Sequence, residues 1–124
     1  MKWLKRYSLA CLAIALCANQ VHANELSAVK KATNSKEYES LKEAYRACVL
    51  TKGKQFILVN SIDSTIKHAP IACKRELLLV RQFLLSSAFK VDVIDQLMAS
   101  VDEGVEIDLV NEVYGHVLKK RGFN

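Results

Sequence analysis

Apolar residues recur at steps of three and four along most of the chain beyond residue 34, the period of α-helices that bury one side. The pattern is densest from Pro70 to Phe89. There Cys73, Leu77, Val80, Leu84 and Ala88 form one stripe, Ala72, Leu79 and Phe83 a second, and Leu78 and Leu85 a third. A surface helix needs one such stripe, so three predict a central helix over 70–89, contacted from several sides. Pro70 suits the first position of that helix, where its missing N–H leaves no intrahelical bond unmade.

Before this stretch, Ser35 reads as an N-cap followed by Tyr38, Leu41, Tyr45 and Cys48, with charged residues largely off the stripe. This helix is expected to end near Lys52, where Lys52 and Lys54 flank Gly53. Phe56 to Val59 fits a short strand as well as a helix. Phe56, Val59, Ile62 and Ile66 keep helical spacing, and no second strand-like run offers a pairing partner, so a helix is expected. After Phe89, Asp92 with Asp95 resembles a capping arrangement for a helix through Ile94, Leu97, Met98 and Val101, with Gly104 as its end. A final helix carries Ile107, Val110, Val113, Tyr114, Val117 and Leu118, with Lys119, Lys120 and Arg121 at its negative end and Gly122 as its stop. The expected fold is all-α: one small bundle of four to five short helices around the central apolar helix.

The N-terminus is of a different kind. Lys2, Lys5 and Arg6 precede the apolar stretch Leu9 to Ala18 and then Val21-His22-Ala23, the layout of a secretory signal peptide cleaved before Asn24. The apolar run is short of the about 20 residues that cross a bilayer, which disfavours an uncleaved anchor. Leu16 before Cys17 disfavours lipoprotein processing, which prefers a small residue there. The expected organisation is a signal peptide over 1–23, a flexible N-terminal segment over 24–34 and a helical domain over 35–124, in the periplasm or secreted, with no stable membrane anchor after cleavage.

Removing the leader changes the charge. Three of the 18 basic residues and none of the 13 acidic ones precede Asn24, so the +5 of the whole chain becomes +2. The basic excess that suggests nucleic acid or an anionic membrane mostly disappears. Acids are interspersed among Lys30, Lys31, Lys36, Lys42, Arg46, Lys52 and Lys54, so no nucleic-acid partner is expected. Two of the four cysteines also leave with the leader. In an oxidising compartment the remaining Cys48 and Cys73 read as a structural disulfide. They lack the close spacing of a redox pair and the further ligands of a thiolate metal site.

The distribution of charge says more than its total. Residues 24–90 carry twelve basic and six acidic side chains, residues 91–118 seven acidic and none basic. Asp92, Asp95, Asp102, Glu103, Glu106, Asp108 and Glu112 are then either solvated faces attracting the basic half of the same domain or a docking surface for a protein with a basic surface. The spacing of Asp102, Glu103, Glu106 and Asp108 around Gly104 does not fit an EF-hand loop.

Catalytic inventory is thin. His68 and His116 lie in no recognisable catalytic or zinc motif, and the chain has no phosphate-binding glycine loop, G-x-S-x-G or H-E-x-x-H. No catalytic residue, cofactor or metal ligand is assigned. In size, compartment and helix content the chain resembles small exported helical proteins with one disulfide, such as periplasmic chaperones and immunity proteins, a similarity that identifies no site. The expectation is a non-catalytic module that binds another protein. Two alternatives remain open: a carrier of a small apolar or amphipathic ligand between the helices, and an enzyme with a dispersed site.

Overall fold

Ser35 begins the helical unit as an N-cap, its hydroxyl accepting a hydrogen bond from the Tyr38 N–H at 3.1 Å. In the computed structural model, which describes Asn24 and residues 26–123, the chain is all-α. A helix over residues 26–33 (α1) forms in the polar stretch whose sequence has no clear period. It is followed by α2 (Lys36–Phe56), α3 (Ile62–Ala72), α4 (Lys74–Ser86) and α5 (Val91–Lys120). Helix α1 belongs to one unit and α2–α5 to another, the division falling between Asn34 and Ser35. The signal peptide expected over 1–23 lies outside the described residues. No helix among the described residues is long and apolar enough to cross a membrane.

Helices α2 and α5 run parallel: Tyr45 meets Asp102, Arg46 meets Asp108 and Lys54 meets Glu112. Parallel neighbours need a return path between them, and α3 followed by α4 provides it. The core is correspondingly divided. Tyr45 and Val49 of α2, Ala69 of α3, Cys73, and Val105, Leu109 and Val113 of α5 form one cluster. Tyr38, Val80, Leu84 and Ile94 form the other, with Phe83, Leu97 and Met98 packed against it. Half-buried Val101 touches both.

The 70–89 segment departs from the single helix expected there. Pro70 lies in the last turn of α3, the break comes at Cys73, and α4 begins at Lys74. Cys73 ends one helix and begins the next while its sulfur is bonded to Cys48 at 2.08 Å, with the Cα atoms 5.9 Å apart. The expected disulfide therefore pins the bend to the middle of α2. Only one of the three apolar stripes is deeply covered: Cys73, Val80 and Leu84 are fully buried, whereas Leu78, Leu79 and Leu85 remain substantially exposed. The broadest contacts in the bundle are instead those of α2 with α3, α4 and α5.

Three further boundaries differ from the expectation. The four apolar residues from Phe56 are neither helix nor strand beyond Phe56 itself. Ile57–Val59 form a turn, closed by the Val59 and Asn60 N–H groups and the Asn60 side-chain amide, all donating to the Phe56 carbonyl. Leu58 and Val59 stay 66% and 82% exposed, so no burial holds them in a regular element. The two helices expected around Gly104 are one 30-residue helix whose N-cap position is Lys90 rather than Asp92. Ile94, Val101, Val105, Leu109 and Val113 keep one continuous inward stripe across that glycine, and their burial outweighs the about 1 kcal/mol that a helical glycine costs. Helix α5 does stop at Gly122, in the left-handed region at φ 82°. The Phe123 N–H bonds to the Leu118 carbonyl and the Gly122 N–H to the Lys119 carbonyl, a Schellman closure.

Gly53 is not a helix terminator either. It is buried within α2, where a Cβ would collide with Leu109 Cδ1 and touch Val113 Cγ2. Because Leu109 is itself fully buried, it has little room to yield. Gly53→Ala is expected to lower stability by a net about 1–2 kcal/mol, overpacking outweighing the better helix propensity of alanine. Ala88→Gly is expected to raise it by up to about 1 kcal/mol, since alanine is strained in the left-handed region and Ala88 sits there at φ 58°. Chemical denaturation of both variants checks the pair. Replacing Cys48 and Cys73 together with alanine is expected to cost about 3 kcal/mol on the chain-entropy account of a loop this long, read by the same titration under non-reducing conditions.

Candidate functional site

The acidic segment lies along α5, and its carboxylates divide into those that hold the domain together and those left facing solvent. Asp102 Oδ1 accepts a 2.6 Å hydrogen bond from the hydroxyl of Tyr45, a residue with no exposed surface. Asp108 receives Arg46 Nε at 2.6 Å, and the same guanidinium reaches Glu43 at 3.2 Å. Glu112 pairs with Lys54 at 3.4 Å, and Asp95 with Arg81 of α4 at 2.9 Å. The segregated charge thus works in part within the domain, drawing α5 onto basic residues of α2 and α4. At surface exposure each such pair contributes about 0–1 kcal/mol. Asp92, Glu103 and Glu106 have no ion pair among the described residues.

Glu106 lines a shallow groove of about 440 Å³ between α3 and α5, together with Asp63, Ile66, Lys67, Pro70 and Asp102. Three carboxylates and one ammonium line it beside half-buried Ile66 and Pro70. The Ser61 N-cap, accepting from the Ser64 N–H at 3.3 Å, starts α3 so that Asp63 falls in its first turn. The continuous course of α5 then brings Asp102 and Glu106, one turn apart, to the same side. Asp63 was not singled out by the sequence, because no local pattern relates it to residues some 40 positions away.

The expected sites do not assemble into a single patch. Asp102 and Glu106 share the groove, Asp108 faces a second one beside Tyr38, Lys42 and Arg46, and Asp95 is held by α4. Gly104 being helix interior, Asp102, Glu103, Glu106 and Asp108 radiate from a rod rather than line a loop. Among the described residues, Cys48, Cys73 and Glu76 bring possible ligand atoms within 4.8 Å of one another, but the two sulfurs are bonded together and offer no thiolate. His68 is exposed and its Nδ1 lies 2.7 Å from the Ser64 carbonyl one turn earlier. His116 lines an open groove at the C-terminal end of α5 with Ile57, Asn60 and Tyr114.

Electrostatic perturbation centres on the tyrosines. Burial, then the hydrogen bond to Asp102, pushes the Tyr45 hydroxyl far above its ordinary value of 10.0. Burial also raises Tyr38, partly offset by Lys42, whose ammonium stands 5.0 Å over the ring. Tyr45 therefore acts as a fixed donor that orients Asp102. Since its folded-state pKa is raised, its contribution is complete below the unfolded value and is lost as pH rises from about 10 through the folded one. Tyr45→Phe is expected to cost about 1–2 kcal/mol at neutral pH and to flatten the fall in stability above pH 10, measured as melting temperature against pH beside the parent chain.

Neither protein-family models, nor curated proteins, nor solved structures include a match to this chain.

Proposed function

We propose that the chain is an exported, non-catalytic helical module that binds another protein through the acidic groove between α3 and α5. The observation that carries this reading is the placement of Asp63 and Glu106. Neither has an intramolecular ion pair among the described residues, and both share the groove with the apolar side chains of Ile66 and Pro70. Carboxylates beside an apolar surface suit a partner segment that alternates lysine or arginine with apolar residues. The charges speed and orient the encounter, and apolar contact slows release. The basic surface expected of the partner thereby gains a specific counterpart in this domain.

Four other acids of α5 have structural work. Asp95, Asp108 and Glu112 answer arginines or lysines of the same domain, and Asp102 answers Tyr45. They are not the residues on which a binding test should rest. The carrier alternative draws no support from the α3–α5 groove, which opens to solvent.

The test is a crosslinking capture with the purified chain in extract of its own host, followed by titration of the captured protein. Asp63→Lys combined with Glu106→Lys is expected to weaken that binding at least about tenfold, the scale of like-charge repulsion at an interface. The melting temperature is expected to fall by no more than about 8 °C, because both residues are exposed and the main loss is the about 0.3–1 kcal/mol that Asp63 contributes in the first turn of α3. Equal affinity of parent and double variant would remove the groove from the binding site.

A further inference from the structure

Helix α5 is apolar on two opposite sides, and only one of them is covered by its own domain. Val105, Leu109 and Val113 point into the core. On the far side, Gly104, Ile107, Asn111, Tyr114, Leu118 and Arg121 follow one another at steps of three and four, and every one is exposed. Ile107, Tyr114 and Leu118 keep 55%, 47% and 46% of their surface in water. The alternation of three and four is the spacing of a helix that packs along a second helix. From Gly104 to Arg121 the stripe runs about 26 Å at the rise of an α-helix.

The stripe is also self-complementary. Glu103 borders its N-terminal end and Arg121 closes its C-terminal end. Neither side chain has an ion pair among the described residues. When a second copy of the stripe is laid antiparallel about a two-fold axis between Glu112 and Val113, the residues match in layers. Ile107 meets the other copy's Leu118, Asn111 meets Tyr114, and Gly104 faces Arg121, whose guanidinium then reaches the adjacent Glu103. Each layer occurs twice, as an isologous interface requires. A parallel arrangement would instead set Glu103 against Glu103 and Arg121 against Arg121.

We propose that two copies of this chain associate through the outer face of α5 as an antiparallel helix pair, closed at both ends by Glu103–Arg121 ion pairs. The central Asn111 amide is positioned for the Tyr114 hydroxyl of the other copy. A polar group at such a position fixes register at some cost in strength. Gly104 supplies the space over which the long arginine side chain lies. A Cβ at Gly104 would meet nothing within 4 Å in the single chain, so packing within the chain does not require glycine there. The pairing is independent of the α3–α5 groove, which uses a different side of α5.

Sedimentation equilibrium of the whole purified chain, over about 1–500 μM, tests the pairing. The expected result is a reversible monomer–dimer equilibrium. Leu118→Glu is expected to leave monomer throughout. Glu103→Arg alone and Arg121→Glu alone are each expected to weaken dimerisation at least about tenfold through like-charge contact at both ends. The two together are expected to restore it to within about threefold of the parent, since each reversed residue meets its reversed counterpart. All of these positions are exposed, and circular dichroism verifies each fold. Should Leu118→Glu fail to fold, the charge-reversal pair reads the same interface. A chain that stays monomeric at the highest concentration overturns the proposal, and so does a dimer whose single reversals weaken it but whose double reversal does not restore it.

Discussion

The structure depends most on the close approach of α5 to α2 at Gly53. With no side chain at that position, Leu109 seats directly against the α2 backbone and Val113 lies beside it. A larger residue would hold the helices apart, and the fully buried neighbours Tyr45 and Val49 would lose their cover. The approach also fixes the parallel register of the pair, from which the Tyr45–Asp102, Arg46–Asp108 and Lys54–Glu112 contacts follow.

Parallel packing constrains the chain between the two long helices. It must return along α2 within residues 57–90, and it does so as two shorter helices with a bend at Cys73. The disulfide places that bend against Cys48, so the cross-link acts at the joint of the fold rather than at a loose end. A small domain with a divided core gains most from such a constraint, because its conformational entropy cost is offset by little buried area.

Charge segregation has a double consequence. Placing acids on α5 and bases on α2 and α4 draws the last helix onto the rest, with each exposed pair adding little and the set adding direction. Registry satisfies some acids and leaves others over. Asp95, Asp108 and Glu112 find partners in the domain, while Glu103 and Glu106 fall on the parts of α5 turned toward solvent and toward α3. The same rod thereby offers two surfaces of different chemistry, an acidic groove and an apolar stripe with opposite charges at its ends.

The helical class, the Ser35 cap, the stripe through Tyr38, Leu41, Tyr45 and Cys48, the Cys48–Cys73 pairing and the stop at Gly122 were legible in the sequence. Each rests on residues within a turn or two of one another, or on the count of cysteines beyond residue 23. The continuity of α5 was also present in the spacing of Val101, Val105 and Leu109, but Gly104 obscured it because a glycine terminates a helix only where packing does not continue past it. Other features needed the tertiary structure. Gly53 became a packing site instead of a terminator, Pro70 fell at the end of one helix instead of the start of another, and Asp63 came to share a groove with Glu106. These depend on which surfaces meet across long separations, and local propensities of about 1 kcal/mol yield to the burial of whole side chains worth about 2 kcal/mol or more each.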